Sequence, residues 1–138
     1  MLERTLSIIK PDAVAAGRTG KILAMIEEAG FRILALRMLR LRREQAEAFY
    51  DVHRGKHFYE SLVRFMTEGP VVVIALERAD AVARLRDLMG PTDPAQAGEG
   101  TIRKLYGSNI ERNAIHGSDA PDTAERELRF FFSTSELV

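Results

Sequence analysis

Residues 113–119 read Asn-Ala-Ile-His-Gly-Ser-Asp, which sets one imidazole among an amide, a hydroxyl and a carboxylate. A free imidazole titrates at about pH 6.5, so His116 has the chemistry of a nucleophile or base in neutral water. Gly117 lets the backbone turn, or approach a neighbour closely, just after the ring. Ser118 or Asp119 can cap the helix expected next. Asp119-Ala120-Pro121-Asp122 is spaced like a capping box, and Asp119 is the expected cap. A lone histidine beside a turn is more often structural than catalytic. The case for chemistry therefore rests on what the rest of the chain brings to it.

Phosphate-suited groups stand at several separate points: Lys10, Arg86, Thr92, Arg103 and Asn113. With His116 they compose a phosphoryl-transfer site that needs no P-loop. A histidine nucleophile would split transfer into two half-reactions through a phosphohistidine, with arginines and Mg²⁺ offsetting the charge. Other chemistries fit less well. Gly17-Arg18-Thr19-Gly20-Lys21 lacks the spacing of a phosphate loop. His57-Phe58-Tyr59-Glu60 has no second histidine at metal-ligand spacing. No G-x-S-x-G elbow accompanies Ser118 and Asp119 as a triad, and the aromatic-basic interleaving of RNA-binding modules is missing.

The 138 residues suit a single domain, 1–138, with a proper core. Twenty basic and twenty acidic side chains cancel, which disfavours a nucleic-acid partner. Sixteen of the basic residues are arginine, compatible with an anionic ligand. With no cysteine there are neither disulfides nor thiolate metal sites. The longest apolar run, Val71 to Leu76, is too short to cross a bilayer, and Met1 to Arg4 carry no leader. A cytoplasmic protein without a membrane partner is expected.

The elements that must position these groups follow from periodicity. Strands are expected at Glu3–Lys10, ending at Pro11, at Phe31–Leu41 and at Val71–Leu76, with a short one around Ala114–His116. Lys10 then sits at a strand's carboxyl end, the usual ligand rim of an α/β sheet. In the second strand Phe31, Ile33, Ala35, Arg37 and Leu39 fall on one side. Helices are expected from Lys21 to Ala29, from Arg42 to about His53, from Phe58 to Met66, from Ala79 to Met89, from Thr101 to Tyr106 and from Pro121 to Arg129. Tyr50 and His53 share a helix face. Gly90 to Gly100 reads as a long functional loop. Glu127 falls at the edge of the last helix's buried side, where an acid wants a partner, and Phe130 to Phe132 complete the core. The order implies an α+β, ferredoxin-like βαββαβ sandwich: a four-stranded, mostly antiparallel sheet covered by helices, with helical insertions.

Asn113 to Asp119 matches the N-x-x-H-G-S-D signature of nucleoside diphosphate kinases. Ile9-Lys10-Pro11-Asp12, Gly69-Pro70-Val71, Arg86 to Gly90, Thr92-Asp93-Pro94 and Gly100-Thr101-Ile102-Arg103 resemble the same family in order. The resemblance implies transfer of the γ-phosphate of a nucleoside triphosphate to a nucleoside diphosphate, ping-pong, with His116 phosphorylated through Nδ1. In it Glu127 orients the ring with help from Ser118, and Lys10 and Asn113 hold the ribose hydroxyls, Lys10 also lying near the γ-phosphate. Tyr50, Arg86, Thr92 and Arg103 match phosphate contacts, with His53 nearby. Phe58 matches the aromatic on which the base stacks, a contact that accepts any base. The resemblance further implies Mg²⁺ carried by the nucleotide phosphates and a homo-oligomer, a tetramer or hexamer. Leu105, His57 and Pro91 depart from the family pattern at positions without a catalytic role. A non-catalytic nucleotide-binding module would have little need for a His116–Glu127 pair.

Overall fold

Two apolar strands occupy the middle of the protein, whose computed structural model describes residues 1–138. β1 (Leu2–Ile9) and β3 (Val71–Ala79) pair antiparallel, from Leu2 opposite Ala79 to Ile9 opposite Val72. Val71 to Leu76 are all buried, as a strand covered on both faces requires. β2 (Arg32–Leu39) adds to β3 and β4 (Ile115–Gly117) adds to β1, giving the antiparallel order β2-β3-β1-β4 of a ferredoxin-like sandwich.

Helices cover both faces. One layer holds α1 (Pro11–Ala15), α2 (Thr19–Glu28), α5 (Ala81–Met89) and α6 (Ile102–Tyr106). Its core includes Ile22 and Ile26 of α2 with Leu85 and Met89 of α5, packed on Ile74 and Leu76. The other layer holds α3 (Arg43–Phe49), α4 (Tyr59–Met66) and α7 (Pro121–Phe131). There Ala46, Phe49, Val63, Met66 and Phe131 pack on Leu6, Ile8 and Val73. α3 and α4 are the insertion between β2 and β3.

Four local expectations change. Pro11 ends β1 but also opens α1 at the first helical position, where its missing N–H costs nothing; five residues are too few to show a period. β2 carries a bulge: Ile33 lies opposite Leu76, while Ala35 lies opposite Ala75. The extra residue switches faces, so Phe31 and Ile33 pack in the α2 layer whereas Leu34, Ala35 and Leu39 pack in the other. The helix expected to reach His53 stops at Phe49 and gives way to a 3₁₀ turn at Asp51–His53. Asp119 does not cap α7. Ala120 occupies the cap position and its N–H donates to Thr123 Oγ1 at 3.0 Å.

Gly117 is needed for close approach. A Cβ there would stand 2.6 Å from Met89 Sδ and 3.1 Å from Leu85 Cδ2. β4 therefore lies this close to the buried Met89 and Leu85 side chains because residue 117 has none of its own. Gly117→Ala is expected to lower the urea midpoint by the equivalent of about 1–3 kcal/mol, the usual cost of overpacking. An unchanged midpoint would mean that α5 yields freely.

Candidate active site

β4 is an edge strand of three residues, pairing Ile8 with His116 and anchored further by Ser7 Oγ donating to the His116 carbonyl at 2.9 Å. The alternation of β4 sends Ile115 to one core and the His116 ring to the other side, towards α7. There His116 Nε2 lies 2.9 Å from Glu127 Oε1, and Ser118 Oγ donates to the same oxygen at 2.7 Å. Glu127 is 6% exposed and Ser118 fully buried. Burial disfavours the Glu127 carboxylate, yet the hydrogen bonds from His116 and Ser118 together hold its pKa below the ordinary value. An ionised acceptor at Nε2 selects the tautomer with its proton there and leaves the lone pair on Nδ1. Phe49 packs edge-on against the ring, centroids 5.5 Å apart, and Tyr50 does so at 6.4 Å.

The ring opens on a cleft of about 410 Å³. Lys10, Tyr50, His53, Phe58, Arg86, Thr92, Arg103, Asn113, His116 and Glu127 all line it, and Ser118 sits behind Glu127. Every site residue expected from the sequence is thus brought to one place.

Two of its cations are buried without a carboxylate partner. Lys10, 7% exposed, donates from Nζ to Asn113 Oδ1 at 2.8 Å. Desolvation, with a smaller contribution from Arg103, lowers its pKa to about 8. Arg103, 6% exposed, donates to the carbonyls of Gly90 at 2.9 Å and Ile115 at 2.8 Å, while its Nε is buried with no partner. Burial and then Arg86 lower its pKa to about 10. Buried charges ordinarily find an opposite charge. Two that find only neutral oxygens suit an anion arriving from outside.

Asn113 is a clasp as well as a lining residue. Its amide nitrogen donates to the carbonyls of Thr92 and Ile110, both at 3.0 Å, tying the long loop to Lys10. Arg86 and Thr92 remain exposed at the mouth. The Tyr50 hydroxyl is buried without a partner, and burial, followed by the nearby Glu127, raises its pKa, so it is neutral. Tyr50 and His53 stack at 6.3 Å, and Phe58 follows at 5.2 Å from His53. Phe58, Val52 and Leu62 make the apolar end.

Sequence reasoning missed Phe49, Val52, Leu62 and Asp119 in the cleft. Leu62 is four residues after Phe58, a same-face pairing that was legible. Asp119 carried no such signal, because its carboxylate crosses to Arg86, at 2.9 Å, a residue on another element. No group of three or more His, Cys, Asp or Glu side chains stands at metal-ligand spacing.

Comparison with known proteins agrees. Residues 3–137 match the family nucleoside diphosphate kinase. The chain is 54% identical to the nucleoside diphosphate kinase of Sorangium cellulosum, over 99% of this chain and 95% of that one. It is 57% identical to that of Bradyrhizobium diazoefficiens, over 99% and 98%. The solved structure of the Aquifex aeolicus nucleoside diphosphate kinase superposes with a TM-score of 0.98 at 46% identity, covering both chains fully. A halophilic nucleoside diphosphate kinase from Halobacterium salinarum, in complex with CDP, gives 0.96 at 41%, covering 100% of this chain and 92% of that one. A phosphate-ready cleft around a carboxylate-held histidine, on a chain this similar throughout, has one family: the protein belongs to the nucleoside diphosphate kinases, enzymes of phosphoryl transfer between nucleotides.

Proposed function

We propose that the cleft moves the γ-phosphate of a nucleoside triphosphate to a nucleoside diphosphate through a phosphohistidine at His116, with low base specificity. The observation that carries this reading is the Nε2–Glu127 contact, which leaves Nδ1 as the ring's nucleophilic atom. Nδ1 attacks the γ-phosphorus, an N–P bond forms and the bond from that phosphorus to the β–γ bridging oxygen breaks, releasing the nucleoside diphosphate. A second diphosphate then attacks the phosphohistidine and restores the imidazole. Glu127 stabilises the Nε2 proton throughout, and Ser118 keeps that carboxylate aimed.

Arg86, Thr92, Arg103 and Tyr50 serve the phosphates, with His53 beside them, and Lys10 with Asn113 serves the ribose hydroxyls. Lys10 spends one Asn113 lone pair and leaves the other for a hydroxyl. Phe58 offers a π-face to any base. Mg²⁺, when bound with the nucleotide, offsets charge on the phosphate oxygens. The carboxylates of the cleft suit that reading: of the three that line it, Asp119 and Glu127 are engaged by Arg86 and His116, and Glu111 alone is too few oxygen ligands for a protein cage. No helix is long and apolar enough to cross a membrane, in keeping with a cytoplasmic enzyme. Association into a homo-oligomer belongs to the same reading, supported by edge strand β2, where Leu36 and Met38 are 49% and 58% exposed.

Incubation with γ-labelled ATP and no acceptor is expected to leave acid-labile label on the wild type and none on His116→Ala; an unlabelled wild type sinks the proposal. Phe58→Ala should raise KM for the nucleotide by the loss of about 1–3 kcal/mol of stacking, with kcat nearly kept. A fall confined to kcat would remove Phe58 from base binding.

Lys10 predicts a pH dependence. Its folded pKa of about 8 lies below the ordinary 10.5, so the empty cleft loses this proton first, as pH rises through 8. A phosphate pulls the proton back, so affinity for ATP should weaken above that point by up to about tenfold per pH unit. Titration calorimetry between about pH 7 and about pH 9 checks this, with Lys10→Gln weak but flat across the range. A flat wild-type profile contradicts it.

A further inference from the structure

Between Asn113 and His116 the backbone makes a turn that a side-chain-bearing residue adopts only under strain. Ala114 has φ +74° and is fully buried, and the Ile115 N–H donates to the Asn113 carbonyl at 2.9 Å. A three-residue γ-turn of this hand is rare. Such strain persists only where surrounding contacts over-determine it.

Both contacts that hold Ala114 come from the start of α1. The Lys10 N–H donates to the Ala114 carbonyl at 2.9 Å, and the Ala114 N–H donates to Asp12 Oδ2 at 3.1 Å. The first is a backbone bond that many side chains at position 10 would leave intact. The second depends on the residue at position 12 having an acceptor. On one side of the turn stands Asn113, which carries the Lys10 ammonium and the Thr92 carbonyl; on the other stands β4, with only three residues to resist a rotation.

We propose that Asp12 is a positioning residue for phosphoryl transfer: its carboxylate locks the strained turn at Ala114 and so fixes the direction in which β4 presents the His116 ring to the groups on Asn113 and Lys10. If residue 114 relaxed to negative φ, the segment between Asn113 and His116 would change direction. Arg86 and Phe58 would keep their places, because neither side chain is bonded to residues 113–116, whereas Arg103, which donates to the Ile115 carbonyl, would have to follow that carbonyl. The defect expected on losing Asp12 is therefore mainly in the rate of transfer, with the contacts offered by Arg86 and Phe58 kept and only the Asn113–Lys10 side of the cleft disturbed. The inference rests on the phosphohistidine reading above.

The test is single-turnover labelling of His116 from γ-labelled ATP, alongside ADP affinity and the thermal midpoint of each variant. Asp12→Ala should label about tenfold more slowly or worse, with ADP affinity changed less than about threefold, since a group acting only in the transition state lowers the rate and spares binding. Asp12→Asn keeps an oxygen acceptor and should stay within about threefold of wild type. Adding Ala114→Gly to Asp12→Ala should recover most of the lost rate, because glycine takes positive φ without help.

Labelling by Asp12→Ala at the wild-type rate overturns the proposal, as does a slow Asp12→Ala that Ala114→Gly does not improve. Rate and ADP affinity falling together, in step with the folded fraction, would mark a purely structural role and also overturn it. If Asp12→Ala does not fold, Asp12→Asn decides: folded protein that labels more than about tenfold slower contradicts the proposal, and near-wild-type labelling upholds the need for an acceptor. Failure of the wild type to label would instead remove the phosphohistidine itself, a result separate from any of these.

Discussion

A carboxylate taken out of water must be repaid in hydrogen bonds, and Glu127 depends on two. His116 and Ser118 both reach its Oε1, from either side of Gly117. This places three requirements on one short strand. Residues 116 and 118 must share the face towards α7, residue 117 must face α5, and residue 117 must be too small to push α5 away. The period of two of a β-strand meets the first two requirements and glycine the third. β4 lies at the sheet's edge, so the imidazole is supported from behind by Phe49 and Glu127 and remains open at the cleft.

The rest of the cleft depends on that arrangement at a distance. Arg103 braces the carbonyl of Ile115 and that of Gly90, linking the histidine strand to the loop that carries Thr92. Asn113 makes a second link from Lys10 to the same loop. The long loop has little regular structure, but it is tied down by hydrogen bonds from two buried side chains. Both keep polar capacity in reserve: the unpartnered Nε of Arg103 and the second lone pair of Asn113.

Much of this could be read from the chain. Continuous burial of Val71 to Leu76 followed from its unbroken apolar run, and the placing of Lys10 on a rim followed from Pro11 after an apolar strand. Glu127 beside a buried helix face announced a partner before the partner was known. What stayed hidden was what periodicity does not encode. α1 is shorter than two helical turns and shows no pattern. The bulge at Leu34 exchanges the faces of β2 without altering its composition. Asp119 has the spacing of a cap, but Thr123 satisfies the helix end and frees the carboxylate for Arg86. Asp12 looked like part of a motif, and its target, one backbone N–H at position 114, lies on a different element.

The pairing of Arg86 with Asp119 gives the mouth of the cleft a resident counter-ion. Both side chains are well exposed, 43% and 78%, so the bond between them is cheap to break, as exposed ion pairs are. Under the proposed function, a nucleotide phosphate reaching Arg86 would exchange one anion for another. The same carboxylate would be on hand to reclaim the arginine when that phosphate left. A site built to release its product as often as it captures its substrate gains from a leaving path that begins with a replacement already tethered in place.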